Sequence, residues 1–389
     1  MVQVLYVFLG FHQEMFFGRA KMEAGLGVNF GYAFPSLRGI QAGREYFVAM
    51  CPMRLIPKIF TFDQEDLPPE YRAQRILNKG RIPALAKYVL KNRKDYVFSA
   101  ITASINSKIK FEPISKTNDE AGKMGTLYVP LDAKFIINDG QHRRAAIELA
   151  LKERPDLGDE TLAVVFFLDI GLKRCQQMFA DLNRFAIRPS KSIGVLYDQR
   201  DQIATVAKIV ALKSETFKGL VELERSTLSL RSKKLFTLSA IYNATESLID
   251  GLEMDVETLT KEALTFWEET AKHFPEWEKV RRDEMAAGEV RKDFIHSHGI
   301  VLQSIGRVGN TLLRHQRGQW KKLLGKLEDI DWRRSNTRLW EGRAMIGGKV
   351  SKAASNVALT SATIRKVMGL ALSPEEKMME ASIKDGRRG

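Results

Sequence analysis

The residues with the clearest chemical potential follow an apolar run in the first half of the chain, and they are Asp139, Gly140, Gln141, His142 and Arg143. The apolar run predicts a strand, and the residues after it predict the start of a helix. A helix start has unsatisfied backbone N–H groups and the positive end of the helix dipole, so it favours anions. Gly140 lets the backbone approach a ligand closely, while His142 and Arg143 add donors that suit phosphate. The pattern predicts a turn that binds a phosphate group or a nucleotide. The alternative is a structural turn whose arginines pair with carboxylates.

The same turn also allows an enzymatic interpretation. Asp139, His142 and Arg143 would then act on a phosphoanhydride or a phosphodiester, with Asp139 orienting water or holding a divalent metal and Arg143 stabilising developing charge. The implied cofactor is a nucleoside triphosphate with magnesium. Because no cluster of carboxylates lies near this turn in the sequence, the pattern favours a binding protein without catalytic residues or a metal site.

Basic residues outside this turn form three groups that alternate with hydroxyl, proline or glycine residues. The first group surrounds Pro189, the second precedes a predicted helix near residue 235, and the third follows residue 331. Lysine, arginine and hydroxyl side chains together suit contacts to a nucleic-acid backbone. The predicted DNA-binding residues are Arg184, Arg188, Lys191, Arg225, Arg231, Lys233, Lys234, Arg333, Arg334, Arg338 and Arg343. Trp332 and Trp340 lie among the third group, and we predict that they are core anchors.

The overall charge points to a polyanionic partner. The 389 residues contain 61 Lys and Arg against 47 Asp and Glu, which gives a net charge of +14 and an isoelectric point near 9.6. Such a balance attracts nucleic acid through a field that salt screens. The basic residues are spread along the chain, which disfavours a membrane-surface helix. The alternative is a soluble protein that is merely basic.

Cysteine and histidine usage indicates no metal or disulfide chemistry. Cys51 and Cys175 are too few for a disulfide framework, which fits a reducing cytoplasm, and we expect Cys51 to be a buried side chain rather than a redox sensor. His296 and His298 lie two residues apart, a spacing that two ligands of one metal can have. No accompanying cysteine or carboxylate pattern supports a metal, so local capping or packing is predicted.

The chain divides into an α/β half and a helical half. Predicted strands cover residues 46–50, 96–101, 126–129, 135–137 and 162–168, with helices at 82–90 and 143–151. After residue 192, apolar residues recur at helical spacing. We predict an extension of uncertain structure at residues 1–32, an α/β domain at 33–195, a helical basic domain at 196–372 and a mobile basic tail at 373–389. The apolar stretch at residues 4–11 is too short to cross a membrane, and neither a signal peptide nor a membrane span is predicted.

Several motifs carry a resemblance to a known family. Asp139 to Arg143 resemble the signature of the DGQHR domain, a branch of the ParB/sulfiredoxin-like group. More specific stretches resemble the DNA sulfur modification protein DndB family over residues 33–375, and they cover residues 38–46, 178–184, 188–192, 294–299 and 339–348. The resemblance implies a ParB/sulfiredoxin-like mixed sheet in the first domain. It also implies a turn that contacts nucleotide phosphates, as in several members of that group.

The family belongs to DNA phosphorothioation, in which sulfur replaces a non-bridging phosphate oxygen, and its members are described as DNA-binding regulators. The resemblance therefore implies a cytoplasmic repressor that binds double-stranded DNA at the promoter of its own operon. The alternatives are a nucleotide-dependent phosphohydrolase or nuclease, and a non-catalytic DNA-bound subunit of the modification machinery. Other phosphorothioation proteins and further copies of the chain are candidate partners. No helix that reads bases is identifiable from the sequence.

Overall fold

A computed structural model describes residues 31–60, 77–117, 120–168, 171–184 and 189–386. The chain forms two compact units, which comprise residues 1–187 and 188–389. The division therefore falls a few residues before the predicted boundary at residue 195. The predicted extension lies almost entirely outside the described residues.

A mixed seven-stranded sheet forms the first unit. Its strands are β1 (Gly31–Gln41), β2 (Arg44–Pro52), β3 (Ile101–Asn106), β4 (Lys110–Pro113), β5 (Met124–Pro130), β6 (Lys134–Asp139) and β7 (Thr161–Phe167). They lie in the order β4-β5-β1-β2-β7-β3-β6. Neighbouring strands are antiparallel except β3 and β7, which are parallel. A mixed sheet is what the sequence predicts for this half.

Alternating side chains place one face of this sheet against a core. In β2, Phe47, Ala49 and Cys51 are buried while their neighbours face the other way, as the two-residue period of a strand requires. Burial raises the pKa of the Cys51 thiol to about 12, which suppresses the reactive thiolate. The prediction that Cys51 is a buried structural residue is therefore confirmed.

Helices cover both faces of the sheet. The helices of this unit are α1 (Ile56–Ile59), α2 (Ile82–Lys91), α3 (Gln141–Glu153) and α4 (Leu172–Arg184), of which α2 packs on α3. Ile56 of α1 and Ile147 of α3 belong to the main core of the sheet. On the opposite face, Cys175 and Met178 of α4 pack against strands β6 and β7. The first unit is thus a layered α/β structure with helices on both faces of the sheet.

One predicted strand begins later than expected. Residues 96–100 have no strand pairing, and β3 begins at Ile101. The backbone N–H of Val97 donates to the hydroxyl of Tyr88 at 2.9 Å, and the hydroxyl of Tyr96 bonds to Glu160. The β-branched and aromatic composition predicts strand pairing here. Hydrogen bonds to side chains take the place of those backbone hydrogen bonds.

The second unit is mainly helical. Its helices are α5 (Lys191–Tyr197), α6 (Gln202–Lys213), α7 (Leu238–Ile249), α8 (Val256–Ala271), α9 (Pro275–Arg281), α10 (Ala287–Asp293), α11 (Gly299–His315), α12 (Trp320–Leu324), α13 (Thr337–Trp340), α14 (Ala354–Met368) and α15 (Pro374–Gly386). Two short sheets pair β8 (Val221–Glu222) with β9 (Phe236–Thr237) and β10 (Met345–Ile346) with β11 (Lys349–Val350). The helical periodicity of the sequence predicts most of these elements.

Helix α11 lies at the centre of this unit because glycines let its neighbours approach. A Cβ atom added at Gly306 would lie 2.2 Å from the carbonyl oxygen of Ala244 in α7. One added at Gly309 would lie 2.3 Å from the ring of Phe266 in α8. Side chains larger than glycine at these positions would therefore separate α11 from α7 and α8.

The predicted mobile tail is wrong over residues 374–386, which form α15. Three glutamates of this helix pair with arginines elsewhere in the unit: Glu375 with Arg307, Glu376 with Arg365, and Glu380 with Arg343. Glu376 is fully buried and Glu380 is 6% exposed. The sequence indicates only a polar segment, because the partners that fix it lie far away along the chain.

No helix in the described part of the chain is long and apolar enough to cross a membrane.

Candidate functional site

A left-handed glycine makes the turn between β6 and α3. Gly140 has a φ of +115° and is the N-cap residue of α3, which has no side-chain cap. A Cβ atom at this position would lie 2.9 Å from Cγ1 of Ile101. Backbone conformation and lack of space both require glycine here.

Arg143 and Asp139 hold this turn closed. Nη2 of Arg143 lies 2.5 Å from Oδ2 of Asp139, and Nη1 donates to the carbonyl oxygen of Ser99 at 2.8 Å. The hydroxyl oxygen of Ser99 accepts a further hydrogen bond from the same guanidinium. The side chain of Arg143 is 13% exposed and that of Asp139 is 46% exposed. The carboxylate is therefore the charged group of this pair that faces solvent.

The other side chains of the turn also contact the protein. Gln141 is buried and donates to the carbonyl oxygen of Ile137 at 3.2 Å. Nε2 of His142 accepts a hydrogen bond from the backbone N–H of Asn78 at 3.2 Å, so His142 presents its neutral acceptor nitrogen to that group. The structure therefore brings Asn78 and Ser99 to the turn. Neither has a sequence signal, because each lies far from residue 140 along the chain.

Two features of this turn remain available to a ligand: the backbone N–H groups at the helix start and the Asp139 carboxylate beside them. The helix dipole favours an anion, while the Asp139 carboxylate already supplies one within a bonded pair. Among the described residues, no group of three or more histidine, cysteine or acidic side chains could hold a metal ion. The phosphate-binding role of Asp139 to Arg143 stays a prediction.

Gly140→Ala is expected to lower the free energy of unfolding by about 2–3 kcal/mol, because it adds a left-handed backbone strain to a contact with Ile101. Urea denaturation measures this change. Gly43→Ala is the matched control, since Gly43 also has a positive φ, of +74°, but a Cβ there meets nothing within 4 Å. If both variants lose the same free energy of unfolding, the contact between the added methyl group and Ile101 does not contribute to the loss.

In the second unit, a buried arginine organises the loop that carries the second basic group. Arg291 of α10 is 7% exposed. Its Nη1 donates to the carbonyl oxygen of Lys234 at 2.8 Å, and its Nη2 donates to those of Ser229 at 2.8 Å and Ser232 at 3.1 Å. Gly288, one turn earlier, leaves room for this loop, because a Cβ there would lie 2.1 Å from the carbonyl oxygen of Leu230. Residues 229–234 are thus fixed from one side by α10.

The start of α5 joins the other end of this loop. Oγ of Ser192 donates to the carbonyl oxygen of Arg225 at 3.0 Å, and the N–H of Ser192 donates to Oγ of Ser226 at 3.2 Å. Lys191 places its ammonium 2.5 Å from Oδ1 of Asn243 and 4.8 Å from the ring centre of Tyr242. Of the first basic group, Lys191 therefore lies beside the second group.

The third basic group continues from α10. The N–H of Arg334 donates to the carbonyl oxygen of Asp293 at 2.8 Å, and its Nη2 donates to that of Gly348 at 2.8 Å. Residues 190–192, 225–234, 291–293, 331–340 and 345–350 thus form one contiguous region, which we call the basic belt. That Lys191 lies next to the second and third groups is not predictable from their separate positions in the sequence.

The cationic side chains of the basic belt differ in whether they bond to other groups of the protein. Four of the predicted DNA-binding residues in the described part of the belt have exposed side chains that make no hydrogen bond or ion pair, and they are Arg225, Arg231, Lys233 and Arg338. The exposed residues Lys292 and Lys349 share this property. By contrast, Lys234 donates to the carbonyl oxygen of Gly219 at 2.7 Å, and Arg333 forms a two-point pair with Asp331 at 2.9 and 3.0 Å. Hydrogen bonds from Arg333 lower the pKa of that carboxyl group.

Three predicted DNA-binding residues lie apart from this exposed set. Arg343 is 14% exposed, and its guanidinium is held by Glu380 and by the carbonyl oxygen of Leu359. The prediction that Arg343 binds DNA from an open surface is therefore wrong, because α15 covers its side chain. Arg184 is exposed at the end of α4 in the first unit, and Arg188 lies outside the described residues.

The histidine pair and the tryptophans are core residues. His296 accepts a hydrogen bond from Nε1 of Trp277 at 2.9 Å, and His298 lies 2.8 Å from the carbonyl oxygen of Arg291. Burial lowers the pKa of both histidines, to about 4 for His298. Trp332 and Trp340 are buried and stack with ring centres 5.3 Å apart. The predictions of local packing and of core anchors are confirmed.

The comparison with known families identifies the class of protein. The pattern of a family described as DNA-sulfur modification-associated matches residues 34–371, and thus most of the chain. The chain belongs to this family, DndB. No curated protein and no solved structure gives a significant match.

Proposed function

We propose that this protein is a DNA-binding regulator that represses the gene cluster for DNA phosphorothioation. It would act in the cytoplasm on double-stranded DNA at the promoter of its own operon, with a ParB/sulfiredoxin-like first domain and a DNA-binding helical domain. The observation that carries the proposal is the basic belt, in which cationic residues from separate segments lie in one contiguous region of a protein whose family is linked to DNA sulfur modification.

The belt has two properties that suit phosphate contacts. Its exposed cations Arg225, Arg231 and Lys233 have no competing partner among the described residues, so binding DNA breaks no ion pair there. Arg291 holds the part of the loop that carries Arg231 and Lys233, and Ser192 bonds the carbonyl oxygen of Arg225, so less conformational entropy is lost when the loop meets a duplex. Such contacts position a protein on DNA and provide sequence-independent affinity.

The test is a salt titration of DNA binding by fluorescence anisotropy, with a duplex from the operon's promoter and an unrelated duplex. The variant replaces Arg225, Arg231 and Lys233 together with alanine. Each lost phosphate contact is expected to reduce the slope of log affinity against log salt by about 0.9. In cells, the same variant is expected to raise expression from the promoter.

A matched variant separates the belt from net charge. Lys213, Lys261 and Lys322 lie in the same unit and are exposed, and their side chains make no hydrogen bond or ion pair among the described residues. Replacing these three with alanine removes the same charge, and we expect a slope close to that of the unmodified protein. Equal effects of the two triple variants would contradict a specific role for the belt.

A further inference from the structure

Strands β1 and β2 continue beyond the sheet as a two-stranded ribbon. β1 pairs with β5 only as far as Leu37, and β2 pairs with β7 only from Tyr46 onward. The two strands remain paired with each other up to Gln41 and Arg44. In the described part of the first unit, residues 38–45 therefore project past both neighbouring strands.

The tip of this ribbon is a tight turn. Ala42 and Gly43 both have positive φ, at +51° and +74°, as expected for a two-residue hairpin turn of the type that matches strand twist. The ribbon is consequently narrow, with no broader loop at its end. Gln41 and Arg44, on either side of the turn, are exposed.

The base of the ribbon is fixed by side-chain contacts. Tyr46 lies across Gly39, where a Cβ would be 2.6 Å from its ring, and Tyr46 stacks on Phe167 of β7 with ring centres 5.7 Å apart. Arg38 lies 5.4 Å from the ring centre of Phe111 and 3.7 Å from Glu45. These contacts hold the ribbon at a set position on the sheet.

An apolar side chain, that of Ile40, is exposed to solvent near the tip of the ribbon. Ile40 is 74% exposed, although it precedes the turn in a strand whose base is well packed. The charged residues of the ribbon are two arginines, Arg38 and Arg44, and one glutamate, Glu45. Glu45 pairs with Arg38, and Arg44 is also engaged in an interaction. The tip therefore combines an exposed isoleucine with a net positive charge.

We propose that this ribbon enters the minor groove of duplex DNA and that Ile40 wedges between two base pairs. The proposal rests on the proposed function, since it requires the chain to bind DNA. DNA grooves admit a two-stranded ribbon, and minor-groove proteins insert isoleucine and similar side chains between base steps to bend the duplex. Arg44 and Gln41 flank the wedge with the residue types that contact groove edges and phosphates. An apolar protein partner would leave these polar groups desolvated.

The experiment measures DNA bending with donor and acceptor dyes at the two ends of a duplex of about 30 base pairs. Unmodified protein is expected to raise energy transfer, as a bend of roughly 20–90° shortens the distance between the ends. Ile40→Ala is expected to keep the salt-dependent affinity within a few-fold and to lose most of the rise in energy transfer.

The control is Ile114→Ala, because Ile114 is 77% exposed, lies in the same unit and undergoes the same chemical change. It is expected to bend DNA as the unmodified protein does.

DNA binding without a bend, or an unchanged bend in Ile40→Ala, would overturn the ribbon proposal and leave the proposed function intact. A loss of self-association in Ile40→Ala, seen by analytical ultracentrifugation, would instead assign the tip to contact with a second copy. A complete absence of DNA binding by unmodified protein would contradict the proposed function itself.

Discussion

Arg291→Ala is expected to release the loop at residues 229–234 and to abolish most DNA binding. The guanidinium is buried, which lowers the pKa of Arg291, and carbonyl oxygens of the loop accept its hydrogen bonds. Its removal leaves the carbonyl oxygens of Lys234 and Ser232 without this donor in a partly buried place, at a cost of about 3 kcal/mol in the free energy of unfolding. Urea denaturation and hydrogen exchange of residues 225–236 measure the two structural effects.

Two companion variants separate structure from charge. Arg225→Ala removes an exposed arginine from the same belt, and its free energy of unfolding is expected to stay within about 0.5 kcal/mol of the unmodified value. Gly288→Ala removes no charge but places a methyl group 2.1 Å from the carbonyl oxygen of Leu230, which displaces the same loop. If Gly288→Ala binds DNA normally while its loop exchanges faster, the shape of the loop does not control binding.

Glu380→Gln is expected to destabilise the protein by about 2 kcal/mol at pH 7 and by less in acid. Burial raises the pKa of Glu380, but hydrogen bonds and charge from Arg343 and Lys366 outweigh it and bring the pKa from 4.5 to about 2. Because the folded pKa is depressed, the stabilisation is complete above the unfolded pKa. It is lost as the pH falls from about 4.5 towards 2.

Urea denaturation of the unmodified protein and of Glu380→Gln at pH 7 and pH 3 tests this pH dependence. Only the difference in free energy of unfolding between the two proteins reports on Glu380. Glu375→Gln is the control on the same helix, because the Glu375 side chain is 45% exposed and its pair with Arg307 lies in water. Exposed pairs contribute between about 0 and 1 kcal/mol. A stability difference for Glu380→Gln that is the same at both pH values would contradict the assigned pKa.

The sequence predicts features that depend on neighbours along the chain. The strand before Asp139, the turn at Gly140 and the helix after it follow from local patterns, and so do the long helices of the second unit. Strand β1 is missed because Pro35 and Gly39 lower its strand propensity, and it exists through pairing with β2 and β5.

The parts of the candidate site that the sequence does not predict depend on distant contacts. Arg291 is one basic residue in a short helix, and its importance appears only when residues 229–234 fold against it. Likewise, Asn78 and Ser99 reach the turn at Gly140 from separate segments. Arg343 belongs to a basic group by composition, yet a glutamate from α15 pairs with it. Sequence identifies the charges, whereas tertiary packing decides which of them meet solvent.

The position of β7 in the sheet has a consequence for biosynthesis. This strand lies between β2 and β3, although more than 100 residues separate it from β2 in the sequence. Until β7 leaves the ribosome, the sheet exists as two parts, β4-β5-β1-β2 and β3-β6, each with an unpaired edge that β7 later covers. Open strand edges promote association with other chains, so nascent or truncated chains that end before residue 161 are the species most prone to aggregate.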